Sequence, residues 1–564
     1  TRPSGDSLVF AYDSAGRPTT VTSSDATTTF GFGSSTGLLT RVASTDGGTY
    51  SLGYDGALLT SAALTGGAVT GTVRYGYDSF FRPNAVAVNG DAIALAYDRD
   101  GLLRQTGQLA IARSAATGLV DSTRLDAVRT AYRYDASGVI AGATTSANGS
   151  VVYAYDLERD SLRRIVHRVE TVGGVTMDTR FAYDSGGRLF MVTRDVVVAA
   201  AYTYDPNGNR LTRTSAAGVE SGIVDAQDRL ISYGGAQYRY TDAGELSQRI
   251  VGSDTTLYHY DAAGVLRSVR LPNSTQIEYL IDPLGRRVGK RINGQPAQRF
   301  LYQSDLRIAA EIGPGGRTTS RYIYGLSENV PEYMVREGKR YRLITDERGS
   351  VRFVVEAATG IIAQRIEYDE YGRVLLDTHS GFQPFGYAGG ISDEATALIR
   401  FAARDYEPAS GRFTTKDPIG LMGDPNVYQY ASSDPINVVD PLGLKPLAGA
   451  QISQLGFLCQ LVDCTAIDLQ TSPFERSFTL GHTVRLSKAD KCDLSALAHE
   501  VFHVHQYEIF GMAEYLRRGV NDRIQEIVGD DPYSNAPTDP NTLEATAQRI
   551  GSRFRGKLAG CDCK

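Results

Sequence analysis

The stretch Tyr132-Arg133-Tyr134-Asp135-Ala136-Ser137-Gly138-Val139 holds the pattern that decides the fold. Two tyrosines at period two lie on one face of a strand. The Asp that follows can cap backbone N–H groups two residues on, and Gly supplies a turn position with φ > 0. A strand therefore runs into a tight turn. The unit recurs at Tyr12-Asp13-Ser14-Ala15-Gly16-Arg17, Tyr97-Asp98-Arg99-Asp100-Gly101-Leu102, Tyr204-Asp205-Pro206-Asn207-Gly208-Asn209 and Tyr260-Asp261-Ala262-Ala263-Gly264, with a variant at Tyr240-Thr241-Asp242-Ala243-Gly244. From 77 to 97, 134 to 155, 183 to 204 and 240 to 260 the tyrosines stand 20 or 21 residues apart. Twenty residues hold two strands of about six to eight residues and two turns, so each repeat is one hairpin. Stacked hairpins predict a long, curling antiparallel sheet whose core is shared between neighbours.

Composition agrees. The 564 residues would ordinarily suggest several domains, yet 60 are Gly, 33 are Tyr, none is Trp and only 22% are charged. That is a strand-and-turn composition. A net charge of −6 gives no global electrostatic case for nucleic acid or anionic membranes. The longest apolar run, Val196 to Tyr202, is far short of the ~20 residues that span a bilayer. The chain starts at Thr1, already in repeat sequence and with no signal peptide, so it is expected to be N-terminally incomplete. All five cysteines and four of the seven histidines fall beyond residue 444, which marks two unrelated regions in one chain.

The repeat region resembles the YD-repeat proteins of the RHS family, which include bacterial RHS toxins, Tc-toxin C subunits and teneurins. The resemblance implies a mostly β fold: a spiralling antiparallel β-sheet shell over 1–380 that encloses a cavity. From residue 382 the pattern changes to Phe382-Gln383-Pro384-Phe385-Gly386-Tyr387, Arg404-Asp405-Tyr406-Glu407-Pro408, Asp417-Pro418-Ile419-Gly420-Leu421 and Asp434-Pro435-Ile436-Asn437-Val438-Val439-Asp440-Pro441-Leu442-Gly443-Leu444. This resembles the RHS core motif and implies a plug over 381–444 that cuts its own chain between Leu444 and Lys445. The family's aspartyl-protease-like site carries over to Arg404, Asp405 and Asp417. Two carboxylates sharing a proton can serve as base and acid toward an attacking water.

Residues 445–564 lack the repeat. Positions 477–487 alternate as a strand or hairpin, and Asp493 to Phe510 reads as a helix closed by Gly511. On it lies Ala498-His499-Glu500-Val501-Phe502-His503, a His-Glu-x-x-His motif. One helical turn puts His499 and His503 on one face, where both imidazoles can bind one Zn²⁺, while Glu500 lies ~100° round the helix, placed to reach a metal-bound water. The third ligand is expected to be Glu544, on a helix that opens at Asp539-Pro540; Glu514, Glu526 and Asp531 compete for the role. His505 faces away from that pair, and His482 reads as a turn histidine. Gln506-Tyr507 and Asn541, Glu544 and Ala547 resemble small gluzincin-like metallopeptidase domains. The resemblance implies a small α+β, helix-rich zincin-like domain that hydrolyses a target-cell protein.

These readings combine into an expectation: a secreted polymorphic toxin, delivered into a target cell by a type VI or Tc-type apparatus and neutralised by a cognate immunity protein. Its shell would sheathe a zinc metallopeptidase freed by self-cleavage. The competing expectation is a YD-repeat surface or structural binding protein with an inactive C-terminal domain. The five cysteines are expected to form disulfides in an oxidising compartment, with one thiol left over.

Overall fold

The computed structural model describes residues 5–418, 420 and 425–444, together with the backbone of three short strands, Asp468–Thr471, Phe478–Leu480 and Thr483–Leu486. Thirty-six strands, from Val9–Tyr12 to Val374–Asp377, form one sheet in which each strand pairs antiparallel with the next in sequence. The expected spiral of hairpins is present, and the reason lies in the repeat unit.

At Asp135 the carboxylate Oδ1 accepts the N–H groups of Ser137 (2.9 Å) and Val139 (3.0 Å), and Gly138 turns the chain at φ +82°. Where Arg stands four residues after the Asp, its guanidinium closes the turn. Arg188 Nε donates to Asp184 Oδ2 at 2.7 Å, and the same group lies 5.0 Å from the ring of Tyr204 in the next repeat. The repeat tyrosine then fastens itself backward: Tyr204 Oη donates to the Leu189 carbonyl (2.7 Å), as Tyr134 does to Val120 and Tyr97 to Pro83. Each repeat is thus stapled to the one before it. A register shift also precedes the turn at Tyr77, Tyr134, Tyr183, Tyr204, Tyr240, Tyr260 and Tyr302. A bulge bends its strand and increases local twist, so one bulge per repeat curls the ribbon.

The curl closes on itself. Tyr75 Oη donates to the Gln303 carbonyl, 228 residues away, and Asn148 Nδ2 to the Thr359 carbonyl, 211 away. The first of these spans about 22 strands, a circumference of roughly 100 Å at the usual strand spacing. The separation then shrinks: Arg352 reaches Glu170 across 182 residues, Tyr202 reaches Glu370 across 168, and Arg373 reaches Glu220 across 153. The spiral tightens as it winds. Its last strands pack onto the buried face of earlier ones, with Tyr333, Ile344, Phe353 and Val355 in one core with Leu125, Tyr153, Val192 and Tyr202.

The plug follows as a four-stranded antiparallel sheet: Ile391–Asp393, Leu398–Phe401, Arg404–Glu407 and Arg412–Phe413. Its centre is aromatic. Tyr387, Phe401, Tyr406, Phe413 and Tyr430 are buried together, with Tyr406 and Tyr430 rings 4.5 Å apart. Within 477–487, Phe478–Leu480 and Thr483–Leu486 pair antiparallel as expected, and Asp468–Thr471 adds a parallel strand to the latter. The expected helices over 493–510 and from Pro540 lie outside the described residues, as do Lys445, His482, His499, Glu500, His503, His505 and Glu544.

Candidate functional site

Arg404 organises the closing segment of the plug, up to Leu444. It opens a plug strand and is almost wholly buried (2% exposed), its guanidinium 3.6 Å from the centroid of the Phe413 ring. Nη2 pairs with Asp417 Oδ2 at 2.7 Å and Asp440 Oδ2 at 3.4 Å; Nη1 donates to the Val427 carbonyl at 3.1 Å, and Nε donates to the Gly443 carbonyl. Burial pulls the Arg404 pKa below its ordinary value, and the Asp440 and Asp417 carboxylates push back.

Asp440 does a second job. Its Oδ1 accepts the Leu444 N–H at 2.8 Å, and its carbonyl accepts the Gly443 N–H at 3.1 Å. The Ala403 N–H in turn donates to the Leu442 carbonyl (3.0 Å). The segment ending at Leu444 is therefore fastened beside a guanidinium that also holds two carboxylates. A cavity of about 540 Å³ adjoins it, lined by Arg287, Tyr302, Arg400, Lys416, Asp417 and Leu444 among others.

The expected trio is divided. Arg404 and Asp417 meet, but Asp405 points the other way, because neighbours on a strand face opposite sides. Arg287 grips the Asp405 carboxylate with two bonds of 2.8 and 2.9 Å, and Arg400 adds a third at 2.9 Å. Burial pushes the Asp405 pKa up, yet the two guanidiniums outweigh it and leave the carboxyl below its ordinary range. The second carboxylate at the guanidinium of Arg404 is Asp440. Its signal lay in the quoted Asp-Pro-Leu-Gly-Leu run, where the Asp reads as a turn former.

Asn209 was also missed as a docking residue. In the repeats at Asp13, Asp78, Asp184 and Asp225 the fifth position is Arg, and here it is Asn. Asn209 is fully buried; its Nδ2 donates to Asp205 and Asp228, and its Oδ1 accepts from Asn426 Nδ2 (2.7 Å) and from Arg412 of the plug. At this turn the fifth residue of the repeat meets the plug.

Comparison with known proteins fits this architecture. The family model described as the teneurin YD-shell matches residues 1–436. Teneurin-3 of Mus musculus is 26% identical over 396 residues, 66% of this chain and 14% of its own length. Double-stranded DNA deaminase toxin A of Burkholderia cenocepacia (strain H111) is 29% identical over 314 residues, 49% of this chain and 21% of its own. Among solved structures, TcdB2–TccC3 superposes with TM-score 0.60 at 18% identity, covering 78% of this chain and 28% of that one. The Photorhabdus luminescens Tc holotoxin pore gives TM-score 0.61 at 18% identity, covering 78% and 27%. This chain thus spans a small fraction of the length of the relatives it matches. No helix among the described residues is long and apolar enough to cross a membrane. With its repeat, closed spiral and matched family model, the chain belongs to the teneurin YD-shell family.

Proposed function

We propose that this chain is the shell and plug of a secreted toxin that cuts itself after Leu444 and carries a zinc metallopeptidase beyond the cut. The observation that carries the first half is the grip on segment 440–444: Arg404 binds Asp417, Asp440 and the Gly443 carbonyl, while Asp440 holds the Leu444 N–H. In the proposed reaction water adds to the Leu444 carbonyl. One of the two carboxyl groups accepts the water's proton and the other protonates the departing Lys445 amine as the C–N bond breaks. Arg404 keeps both groups beside the bond, and Asp405, clamped by Arg287 and Arg400, anchors the strand that presents Arg404.

The second half rests on the donor set His499, His503 and Glu544, two imidazoles and a carboxylate, which suits zinc. Bound there, Zn²⁺ would supply a polarised, acidified water. Glu500 would take that water's proton and pass it to the leaving amine of a target-cell protein. A cognate immunity protein and a Tc-type or type VI delivery apparatus complete the reading. The matches to a toxin from Burkholderia cenocepacia and to Tc-toxin folds favour it. The teneurin relatives favour the second reading, a surface binding protein with an inactive C-terminal domain.

A time course on freshly purified chain tests the proposal. The 60.9 kDa band should lose a C-terminal piece of about one fifth of its mass, with Lys445 as the new N-terminus. Asp417→Asn and Asp440→Asn should leave it whole. Zinc at one equivalent, with Glu500→Gln abolishing toxicity to a target cell, is expected for the cargo. A wild-type chain that stays intact and binds no zinc would favour the binding protein.

A further inference from the structure

The two carboxylates at Arg404 sit on separate arms of the plug. One arm is Arg412–Asp417, hydrogen-bonded to the returning stretch 426–430 through Phe413 N–H to the Tyr428 carbonyl and Asp417 N–H to the Val427 carbonyl, both 2.9 Å. The other is the run from Asp434 to Leu444, which brings Asp440 back to Arg404. Between them lies Ala431-Ser432-Ser433, and all three residues are left-handed, with φ of +50°, +51° and +59°. Three successive non-glycine residues in that region are costly, roughly 1–2 kcal/mol each. Such a turn persists only where its surroundings over-determine it.

Its surroundings are the shell. Ser433 Oγ donates to the Gly208 carbonyl (3.1 Å) and accepts from Gln429 Nε2 (2.8 Å), and Tyr371 Oη donates to the Ser433 carbonyl at 3.4 Å. A Cβ on Gly208 would stand 2.5 Å from Gln429 Nε2, so the Gln429 amide that bonds Ser433 packs directly on this turn. Beyond the hinge, Asn437 Oδ1 accepts the Ile165 N–H (2.7 Å) and its Nδ2 donates to Tyr183 Oη (2.8 Å), so the second arm is also fixed to the wall. The gripping turn, Asp205–Asn209, is the one in which Asn replaces the repeat's Arg.

We infer that Asn209 and Ser433 are positioning residues for self-cleavage: the shell turn at Asp205–Asn209 holds the left-handed hinge of the plug, and only a hinge so held brings Asp440 to Arg404 opposite Asp417. Cutting is thereby licensed by closure of the shell. The inference rests on the self-cleavage reading and deepens it.

The test is the rate of appearance of the C-terminal fragment in the full chain, refolded from denaturant, alongside its melting temperature. Ser433→Ala and Asn209→Arg (the repeat's own residue) should each slow cleavage about tenfold. Ser432→Val, which burdens the left-handed hinge, should do the same. Ser432→Gly, which makes the left-handed conformation easy, should restore at least threefold of the loss when added to Ser433→Ala. A residue that only stabilises the fold would lower the melting temperature and leave the rate of the folded fraction unchanged. If wild type cleaves and Ser433→Ala and Ser432→Val match its rate, or Ser432→Gly rescues nothing, the positioning role is overturned while self-cleavage stands. If wild type does not cleave, both fall.

Discussion

Asp405 and Asp417 are both aspartates of the plug, and their surroundings assign them different work. Asp405 lies between Arg287 and Arg400 with 1% of its surface exposed, so its removal would leave two buried guanidiniums uncompensated. Asp405→Ala should therefore cost about 3–5 kcal/mol, read as a lower midpoint in chemical denaturation. Asp417→Asn keeps the size and polarity of the side chain at Arg404. With Asp440 still facing Arg404, it should lower that midpoint by less than Asp405→Ala does, while the proposed cut is lost. Asp434 offers a pH test. Burial raises its pKa to about 6, with Asn437 hydrogen bonds opposing the shift. Because the folded value lies above the unfolded one, its charge destabilises the plug at neutral pH, and stability should rise as pH falls from 7 to 4. The full effect is roughly 3 kcal/mol for a shift of about two units. Asp434→Asn should flatten that slope when melting is followed across the window. Carboxylates held below their ordinary range, such as Asp405, lose their contribution only at lower pH.

At the scale of the element, the unit that matters is the turn with its staple. Asp184 accepts the Gly186 and Arg188 N–H groups, pairs with the Arg188 guanidinium, and so fixes the cation against Tyr204. Asp184→Ala should cost about 1–2 kcal/mol, as the loss of comparable backbone caps does, measurable as faster hydrogen exchange in the strands on either side. Gly138→Val should cost more than Gly138→Ala, since φ +82° is harder for a β-branched residue. The bulge before each repeat tyrosine explains why a turn motif alone produces a curved ribbon.

For the molecule as a whole, the seam between successive turns of the spiral carries the closure. Glu170 is 1% exposed and takes the guanidinium of Arg352 and the hydroxyl of Tyr153, with Arg168 at 3.6 Å. Glu170→Ala would take the buried Arg352 guanidinium's ion-pair partner from the seam, while Arg168 keeps Glu347 at 3.0 Å, and should lower the denaturation midpoint by the equivalent of about 3 kcal/mol. Limited proteolysis should then open the shell in strands 333–368 before the early repeats, because those late strands depend on the seam for their packing. Uniform proteolysis along the chain would contradict that order.

The sequence by itself determined the repeat, its hairpin, the turn chemistry of Asp and Gly, and the place where shell gives way to plug, because each is a local pattern with a period of two or of about twenty residues. Resemblance to the RHS core motif also pointed to Arg404, Asp405 and Asp417 and to a cut after Leu444. Only the tertiary structure decided the rest. That the spiral tightens from 237 to 153 residues per closure follows from packing between distant strands. That Asp440 rather than Asp405 meets Asp417 at Arg404 follows from strand alternation and a left-handed hinge. That Asn209 docks the plug shows only when residues 217 positions apart are brought together, at Asn426. Long-range closure leaves no period in the chain, so no local pattern records it.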